Sequence, residues 1–335
     1  MGIKNSEDTK DKSQPTKQTT TKLNLQQIES LSIFYANADQ FINKFNELKQ
    51  RINVQKPHII MINEVKAKNS RFSFKRSEIA LNGYNMFHCN LDIDLGRGII
   101  IYVLDFLNVC QINNSEFCES VLLEITLPHN TKYLFGCIYR SPNSTDINNE
   151  LLLELISSIS LTQTKYDLVC ITGDFNLPSI IWKADGNATS TGSLAGNFLN
   201  IVSGGGFEQL LYKPTRFRES NIASTLDLII TNDKNRLTDI TYESPLGKSD
   251  HVSITFKILC YLTIPDYHKL VYNWKKGNYR DVKNSIDEIN WTTELPTTNN
   301  INDNWLTFKN KIDNIIKKSI PHNNIKCENI KKTKK

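Results

Sequence analysis

Hydrophobic and polar positions follow two different periods along most of this chain. From Leu31 to about Ile258, short continuous apolar runs alternate with stretches in which apolar residues recur every three or four positions. The short runs, at 31–36, 58–64, 98–103, 121–127, 132–139, 168–172, 226–231 and 251–258, predict strands. The run 58–64 is apolar at nearly every position, as a strand covered on both faces should be. Phe41, Ile42, Phe45, Leu48 and Ile52 recur at helical spacing, with Asp39 placed to cap the helix and Pro57 to stop it. Two more helices are predicted at 149–159 and 196–203. No internal repeat is present. Strands and helices mixed in this way predict an α/β domain of packed sheets covered by helices.

The pattern weakens at both ends. Residues 1–28 are rich in Thr, Ser, Gln and Lys, with too few apolar positions to offset the entropy of ordering, and predict a disordered leader. Residues 29–258 form the folded domain. Residues 259–335 read as a basic, linker-like tail with one amphipathic helix at about 303–319, striped by Trp305, Phe308, Ile312, Ile315 and Ile316. The last ten residues hold five lysines, which suit a solvated, frayed end better than a targeting signal.

Composition narrows the class. The chain has 335 residues, 39% of them hydrophobic and 22% charged, enough for a sizeable core. A formal net charge of +5 permits an anionic partner without requiring one. Seven cysteines form no CxxC pair, and Cys137 and Cys170 lie inside apolar runs. That usage argues for a reducing, nuclear or cytoplasmic setting and against a disulfide framework or zinc knuckle. No apolar stretch reaches the ~18–20 residues of a membrane span. The opening Met1-Gly2 to Ser6 fits the short myristoylation pattern, which arises easily by chance and has no other support here.

Candidate chemistry gathers where apolar runs end. In "VCITGDFNLPSIIW" a buried strand runs into Gly173, Asp174, Phe175 and Asn176. Extended residues two apart face the same side, so Asp174 and Asn176 point together while Phe175 enters the core. A carboxylate beside an amide orients water and stabilises developing negative charge, although Gly-Asp-x-Asn also makes a good turn. Other runs end alike: Asn37, Glu64, Tyr139 with Arg140, Asp227 within "STLDLIITN", and Ser249-Asp250-His251 before a strand. Singly, each has an ordinary structural explanation. Asp227, between two leucines, needs a partner if buried, and His251 would serve. Six polar strand ends together are much harder to attribute to chance. Glu64, Asp174, Asp227 and Asp250 are hard oxygen donors, which favour Mg²⁺ or Mn²⁺ over zinc. Mg²⁺ held by few carboxylates suits a phosphate ester, whose oxygens complete the octahedron; Asn, Tyr and His donors would hold the phosphate.

These motifs, in this order, resemble the endonuclease/exonuclease/phosphatase superfamily of Mg²⁺-dependent phosphoesterases. The resemblance rests on "YANADQ", "IMINEV", "GCIYRSP", "ITGDFN", "STLDLIITN" and "GKSDHVSITF" and covers about Leu31 to Ile258. Within the superfamily, "KPHIIMINEVKAKNSR", "PTRFRESNIASTLDLIITN" and the tail "NWLTFKNKIDNIIKKSIPH" are similar to endonuclease domains of non-LTR retrotransposons of the jockey or chicken-repeat kind. The resemblance implies a four-layered α/β sandwich with two mixed sheets face to face, and a DNA endonuclease that leaves a 3′-hydroxyl. It implies that Glu64 binds the metal, helped by Asn37 and Asp250. His251, held by Asp227, would contact the scissile phosphate. Asp174 would position or deprotonate the water or protonate the leaving oxygen, Asn176 would stabilise the transition state, and Tyr139 would hold a phosphate oxygen. Arg140, Thr215, Arg216 and Ser249 are expected on the substrate side. A reverse transcriptase partner, from a full-length element, is implied as well; the chain itself resembles the nuclease end of such an element or a stand-alone derivative. Val65 and Lys66 stand where many relatives carry an aromatic. The alternatives are the same chemistry on abasic DNA, RNA or a phosphoinositide, or a catalytically dead DNA-binding remnant.

Overall fold

Alternation along each strand decides which residues enter which layer, and the observed architecture follows from it. The computed structural model describes residues 26–67, 76–92, 96–112, 116–218, 222–264, 268–296 and 301–326. The expected leader, as far as residue 25, with Gly2 in it, and the lysine-rich end from residue 327 lie outside them; Gln26 already belongs to a strand. The chain divides into two units, one spanning Gln27–Thr263 and one containing Ile264–Lys335. Among the described residues, no helix is long and apolar enough to cross a membrane.

The first unit holds strands β1 (Gln26–Asn37), β2 (Ile59–Asn63), β3 (Tyr84–Cys89), β4 (Ile99–Leu104), β5 (Asn108–Ile112), β6 (Ser120–Leu127), β7 (Thr131–Tyr139), β8 (Leu168–Asp174), β9 (Ile180–Trp182), β10 (Ala188–Ser190), β11 (Glu208–Gln209), β12 (Asp227–Thr231), β13 (Leu237–Glu243) and β14 (Ser253–Ile264). Its helices are α1 (Phe45–Gln55), α2 (Asp146–Thr162) and α3 (Ser193–Gly204). One six-stranded sheet has the order β13-β14-β1-β2-β4-β3 and the other β11-β12-β8-β7-β6-β5. Both are mixed: β1 runs parallel to β2 and β7 to β8, while β2–β4 and β8–β12 are antiparallel.

Phe34, Ala36, Ile60, Ile62 and Ile100 turn outward from the first sheet and pack on Phe45, Leu48 and Ile52 of α1. Leu134, Ile138, Val169, Ile171 and Leu228 turn outward from the second and pack on α2 and α3. The alternate residues, among them Ile33, Met61, Phe135 and Cys170, are buried between the sheets. The result is helix, sheet, sheet, helix: the four-layered sandwich.

The eight predicted runs all became strands. Six further strands of this unit were not predicted: β3, β5, β11 and β13 are the edges of the two six-stranded sheets, and β9 and β10 pair in a small sheet of their own. An edge strand is covered mainly on one face, so its sequence mixes polar with apolar residues, as "LTDITYE" does in β13. Asp39 does not cap α1. It adopts φ +35° and turns its carboxylate to Arg97 at 2.6 Å, and the chain enters α1 through a 3₁₀ turn at Phe41–Lys44. α2 begins at Asp146, ahead of the predicted 149, because the Thr145 hydroxyl accepts the Asn148 N–H.

The second unit corrects the expectation of a linker-like tail. Strands β15 (His268–Tyr272) and β16 (His322–Lys326) pair antiparallel and enclose α4 (Tyr279–Asp287), α5 (Trp291–Glu294) and α6 (Ile301–Ser319). α6 contains the predicted amphipathic helix. The sheet was missed because it pairs segments about fifty residues apart, and neither strand has a periodic apolar pattern.

Gly173 is fixed by close approach. A Cβ there would lie 2.0 Å from the Ile138 carbonyl oxygen of neighbouring β7. Gly173→Ala should therefore destabilise the first unit by at least about 2 kcal/mol, read as a lower urea midpoint. His58 gives a pH signature. Its Nδ1 accepts the Ser32 N–H at 3.0 Å, and burial lowers its pKa to about 4. The imidazole is neutral in the fold and protonates more readily once unfolded. Its contribution is thus complete above about pH 6.5 and declines as the pH falls toward 4, by up to about 3 kcal/mol. Urea midpoints at pH 7 and 5 should differ less in His58→Gln than in the parent.

Candidate active site

The space between the sheets turns polar at one rim. Tyr35 and Asn37 end β1, Asn63 ends β2, Tyr139 ends β7 and Asp174 ends β8; Asp227, register partner of Asp174, begins β12. Each occupies an inward position, because the residue two before or after it on the strand is an inward one.

These side chains form one connected row. Asp227 is fully buried. It accepts from the Tyr35 hydroxyl at 2.5 Å through Oδ1, and its Oδ2 lies 2.7 Å from His251 Nδ1. His251 Nε2 faces Asp174 Oδ2 at 3.8 Å and Asp250 Oδ1 at 3.8 Å. The Asn37 amide donates to Asp174 Oδ2 at 2.8 Å and to Glu64 Oε1 at 3.1 Å. Behind the row, Asn63 donates to the Tyr35 hydroxyl at 3.2 Å and to the Ile138 carbonyl at 2.8 Å, tying the two sheets together.

Glu64 and Asn176 sit just past their strands at φ +56° and +47°. These left-handed residues turn the chain out of the sheet and bring both side chains to one pocket. The pocket has a volume of about 530 Å³, and Glu64, Tyr139, Asp174, Asn176, Asp250 and His251 line it together with Arg97, Arg216 and Arg218.

Burial raises the Asp174 pKa to about 7, with Asp227 and Glu64 adding to the shift and His251 opposing it. Burial works against a charged His251, but Asp227 and Asp174 outweigh it and raise the imidazole to about 10. Burial also raises the Tyr139 phenol, reinforced by the Glu64 charge. Burial opposes the Asp250 charge as well, yet the Arg216 guanidinium at 2.9 Å holds that carboxyl below its usual range. Two buried carboxyl groups, Asp174 and Asp227, and the half-buried Asp250 thus face one buried imidazole, a concentration of acidic oxygens that suits a hard cation.

Asp174, Asp227 and His251 bring ligand atoms within 4.8 Å of one another. Asp227, however, already has both oxygens engaged, by Tyr35 and by His251, and is closed off from the pocket. Its two oxygens hold the Tyr35 hydroxyl and the His251 ring in place. The carboxylates that open on the pocket are Asp39, Glu64, Asp174 and Asp250, a set of hard oxygen donors, and Asn37 bridges Glu64 and Asp174.

Several expectations need correction. Asn37, expected beside Glu64 on the metal, bridges Glu64 and Asp174 through its NH₂, while its Oδ1 accepts the Asp39 N–H at 3.2 Å. Arg140 does not reach the pocket. It is buried, bonding the Asn176 carbonyl at 2.9 Å and Asn149 Oδ1 at 2.8 Å. The Thr215 hydroxyl is buried and accepts the N–H groups of Leu226 and Asp227. Ser249 donates to the Asn37 carbonyl at 2.7 Å and accepts the His251 N–H at 3.2 Å. These three brace the row. Arg216 does line the pocket, paired with Asp250.

Arg97 and Tyr35 escaped the sequence reading. Arg97 contacts Glu64 Oε2 at 2.6 Å, Asp39 Oδ1 at 2.6 Å and the Lys66 carbonyl at 3.0 Å. Its only local sign is a lone Arg between two glycines. Tyr35 could have been found, since it lies two residues before Asn37 on the same face.

Residues 133–255 match the family described as endonuclease-reverse transcriptase. No curated protein matches the chain. Among solved structures, the endonuclease domain of TRAS1, a telomere-specific non-LTR retrotransposon, is 18% identical with a TM-score of 0.52, over 69% of this chain and 98% of that domain. The 3′-5′ exonuclease NExo from Neisseria meningitidis is 12% identical with a TM-score of 0.52, over 69% and 100%. An AP endonuclease from Archaeoglobus fulgidus is 16% identical with a TM-score of 0.50, over 68% and 99%. Residues 27–263 therefore have the fold of the endonuclease/exonuclease/phosphatase nucleases, and within them residues 133–255 match the endonuclease-reverse transcriptase family.

Proposed function

We propose that the first unit is a Mg²⁺-dependent phosphodiesterase that nicks DNA and leaves a 3′-hydroxyl. The observation that carries this reading is the buried row Asp227–His251–Asp174–Asn37–Glu64 opening on a pocket with arginines at its mouth. Glu64 and Asp250 would hold the cation, with Asn37 and Arg97 fixing Glu64. Bound there, Mg²⁺ would neutralise phosphate charge as it develops.

The chain's own residues account for the rest. Asp227 keeps His251 protonated and oriented, so that Nε2 donates to a phosphate oxygen rather than accepting. Asp174, its basicity raised by burial, is suited to orient and deprotonate the attacking water. The water oxygen joins phosphorus, the P–O3′ bond breaks, and the released 3′ oxygen takes a proton. Tyr139 and the Asn176 amide add donors where negative charge accumulates. Arg216 and Arg218 favour a polyanionic substrate. The family match to an endonuclease-reverse transcriptase supports DNA as that substrate and a reverse transcriptase as partner.

Conversion of supercoiled plasmid to open circle tests the reading. EDTA should abolish nicking, and Glu64→Gln and Asp174→Asn should each slow it by about 10²–10⁴ while leaving the circular dichroism unchanged. Polymerase extension from the nick should reveal the 3′-hydroxyl. Parental rates in either variant would refute the assignment. Preferential cleavage of abasic duplex, RNA or a phosphoinositide would move it to another ester. With about four to six phosphate contacts, log K should fall with log[salt] at a slope of about −4 to −5.

A further inference from the structure

Charge is divided unevenly along the chain. Residues 27–263 hold twenty-one Lys and Arg against twenty-four Asp and Glu, whereas residues 264–335 hold fourteen against eight. The basic excess belongs to the second unit, not to the unit with the pocket.

That unit also displays a row of rings. Tyr272 and His322 are register partners at one end of the β15–β16 pair, with ring centroids 5.3 Å apart. The Trp274 ring lies 5.4 Å from Tyr272 and ends the row, 51% exposed. Tyr279, 56% exposed, donates its hydroxyl to the Trp274 carbonyl at 2.7 Å. The frame is fixed by backbone bonds from Asn273 to Pro321 at 2.8 Å and from Asn278 to Ser319 at 3.0 Å. Gly277 packs so closely on Ile320 that a Cβ would lie 2.5 Å from its Cδ1. Lys275 and Lys276, both exposed, follow Trp274 in the same 3₁₀ turn.

The Trp274 indole is half exposed on a frame held by backbone bonds, so part of its ring surface is open to a flat ligand. Cores of protein–protein interfaces are depleted in lysine, and here two lysines adjoin the ring. Stacked bases inside a duplex are closed to such a ring, whereas unpaired bases stack on it and their phosphates meet the ammonium groups. The geometry points to a binding platform for single-stranded nucleic acid in the second unit, with Trp274 as the stacking residue and Lys275 and Lys276 as the phosphate contacts. An RNA strand and a displaced DNA strand share this chemistry. The site is separate from the nuclease reading and does not depend on it.

Fluorescence anisotropy on the full chain, in EDTA so that nothing is cleaved, tests the platform. The probes are labelled oligouridylate and oligothymidylate of about 12 nucleotides, and a duplex of the same length. Trp274→Ala should weaken single-strand binding about tenfold and leave duplex binding unchanged, while Trp274→Phe retains most of the affinity. Lys275→Ala/Lys276→Ala should flatten the log K against log[salt] slope by about 1.4. Thermal unfolding should match the parent in each variant. Tighter binding of one probe identifies RNA or DNA as the natural strand, and either supports the site. Unchanged single-strand affinity in Trp274→Ala would overturn it and leave the ring to a protein partner; an equal loss on duplex would also overturn it.

Discussion

A carboxylate sealed between two sheets is the constraint on which the rest of this domain depends. Asp227 has no exposed surface, and an unpaired charge at such a place costs several kcal/mol. It is tolerated because Tyr35, from the opposite sheet, and His251, from the segment leading into β14, each take one of its oxygens. The need is mutual: His251 carries a proton only because Asp227 and Asp174 outweigh its burial. The buried carboxylate is thus also a clasp between the layers.

The row extends that principle. Asn63 links Tyr35 to the β7 backbone, Asn37 links Asp174 to Glu64, and Arg97 closes the far end. Among the described residues, the only buried side-chain polar atom without a partner is Asn304 Oδ1, which lies in the second unit. Every buried polar atom of the row is therefore satisfied, which is what makes such a network rigid instead of costly. Rigidity matters to the proposed hydrolysis, which demands donors already aimed when charge develops. Glu64 and Asn176 accept left-handed backbone, worth about 1 kcal/mol or more each, to reach the pocket.

Charge is distributed between the units with a similar division of labour. The pocket unit is slightly acidic, as a site that concentrates carboxylates tends to be, and its arginines are largely consumed by internal pairs: Arg97 with Glu64 and Asp39, Arg216 with Asp250. The basic excess lies in the lysine-rich second unit, where Lys275, Lys276, Lys317 and Lys318 are exposed, and general attraction for a polyanion would fall to it.

Much of this was legible in the sequence. Continuous apolar runs announced the eight interior strands, since burial on both faces leaves no other composition, and the polar residue ending each run marked the rim. Asp174, Asn176, Asp227, Glu64 and His251 stood out because a polar group at the end of a core strand must have a reason to be there. The edge strands stayed hidden because one-sided burial leaves a mixed pattern. Arg140, Thr215 and Ser249, expected on the substrate side, are bonded within the fold, since sequence gives a residue's type but not its partner. Local order along the chain thus determined period, burial and the inventory of donors. Only the tertiary structure decided who meets whom, because Tyr35 and Asp227 stand 192 residues apart and Asn37 and Asp174 stand 137 apart. Such contacts are set by the register and packing of two sheets, which no local stretch of residues encodes.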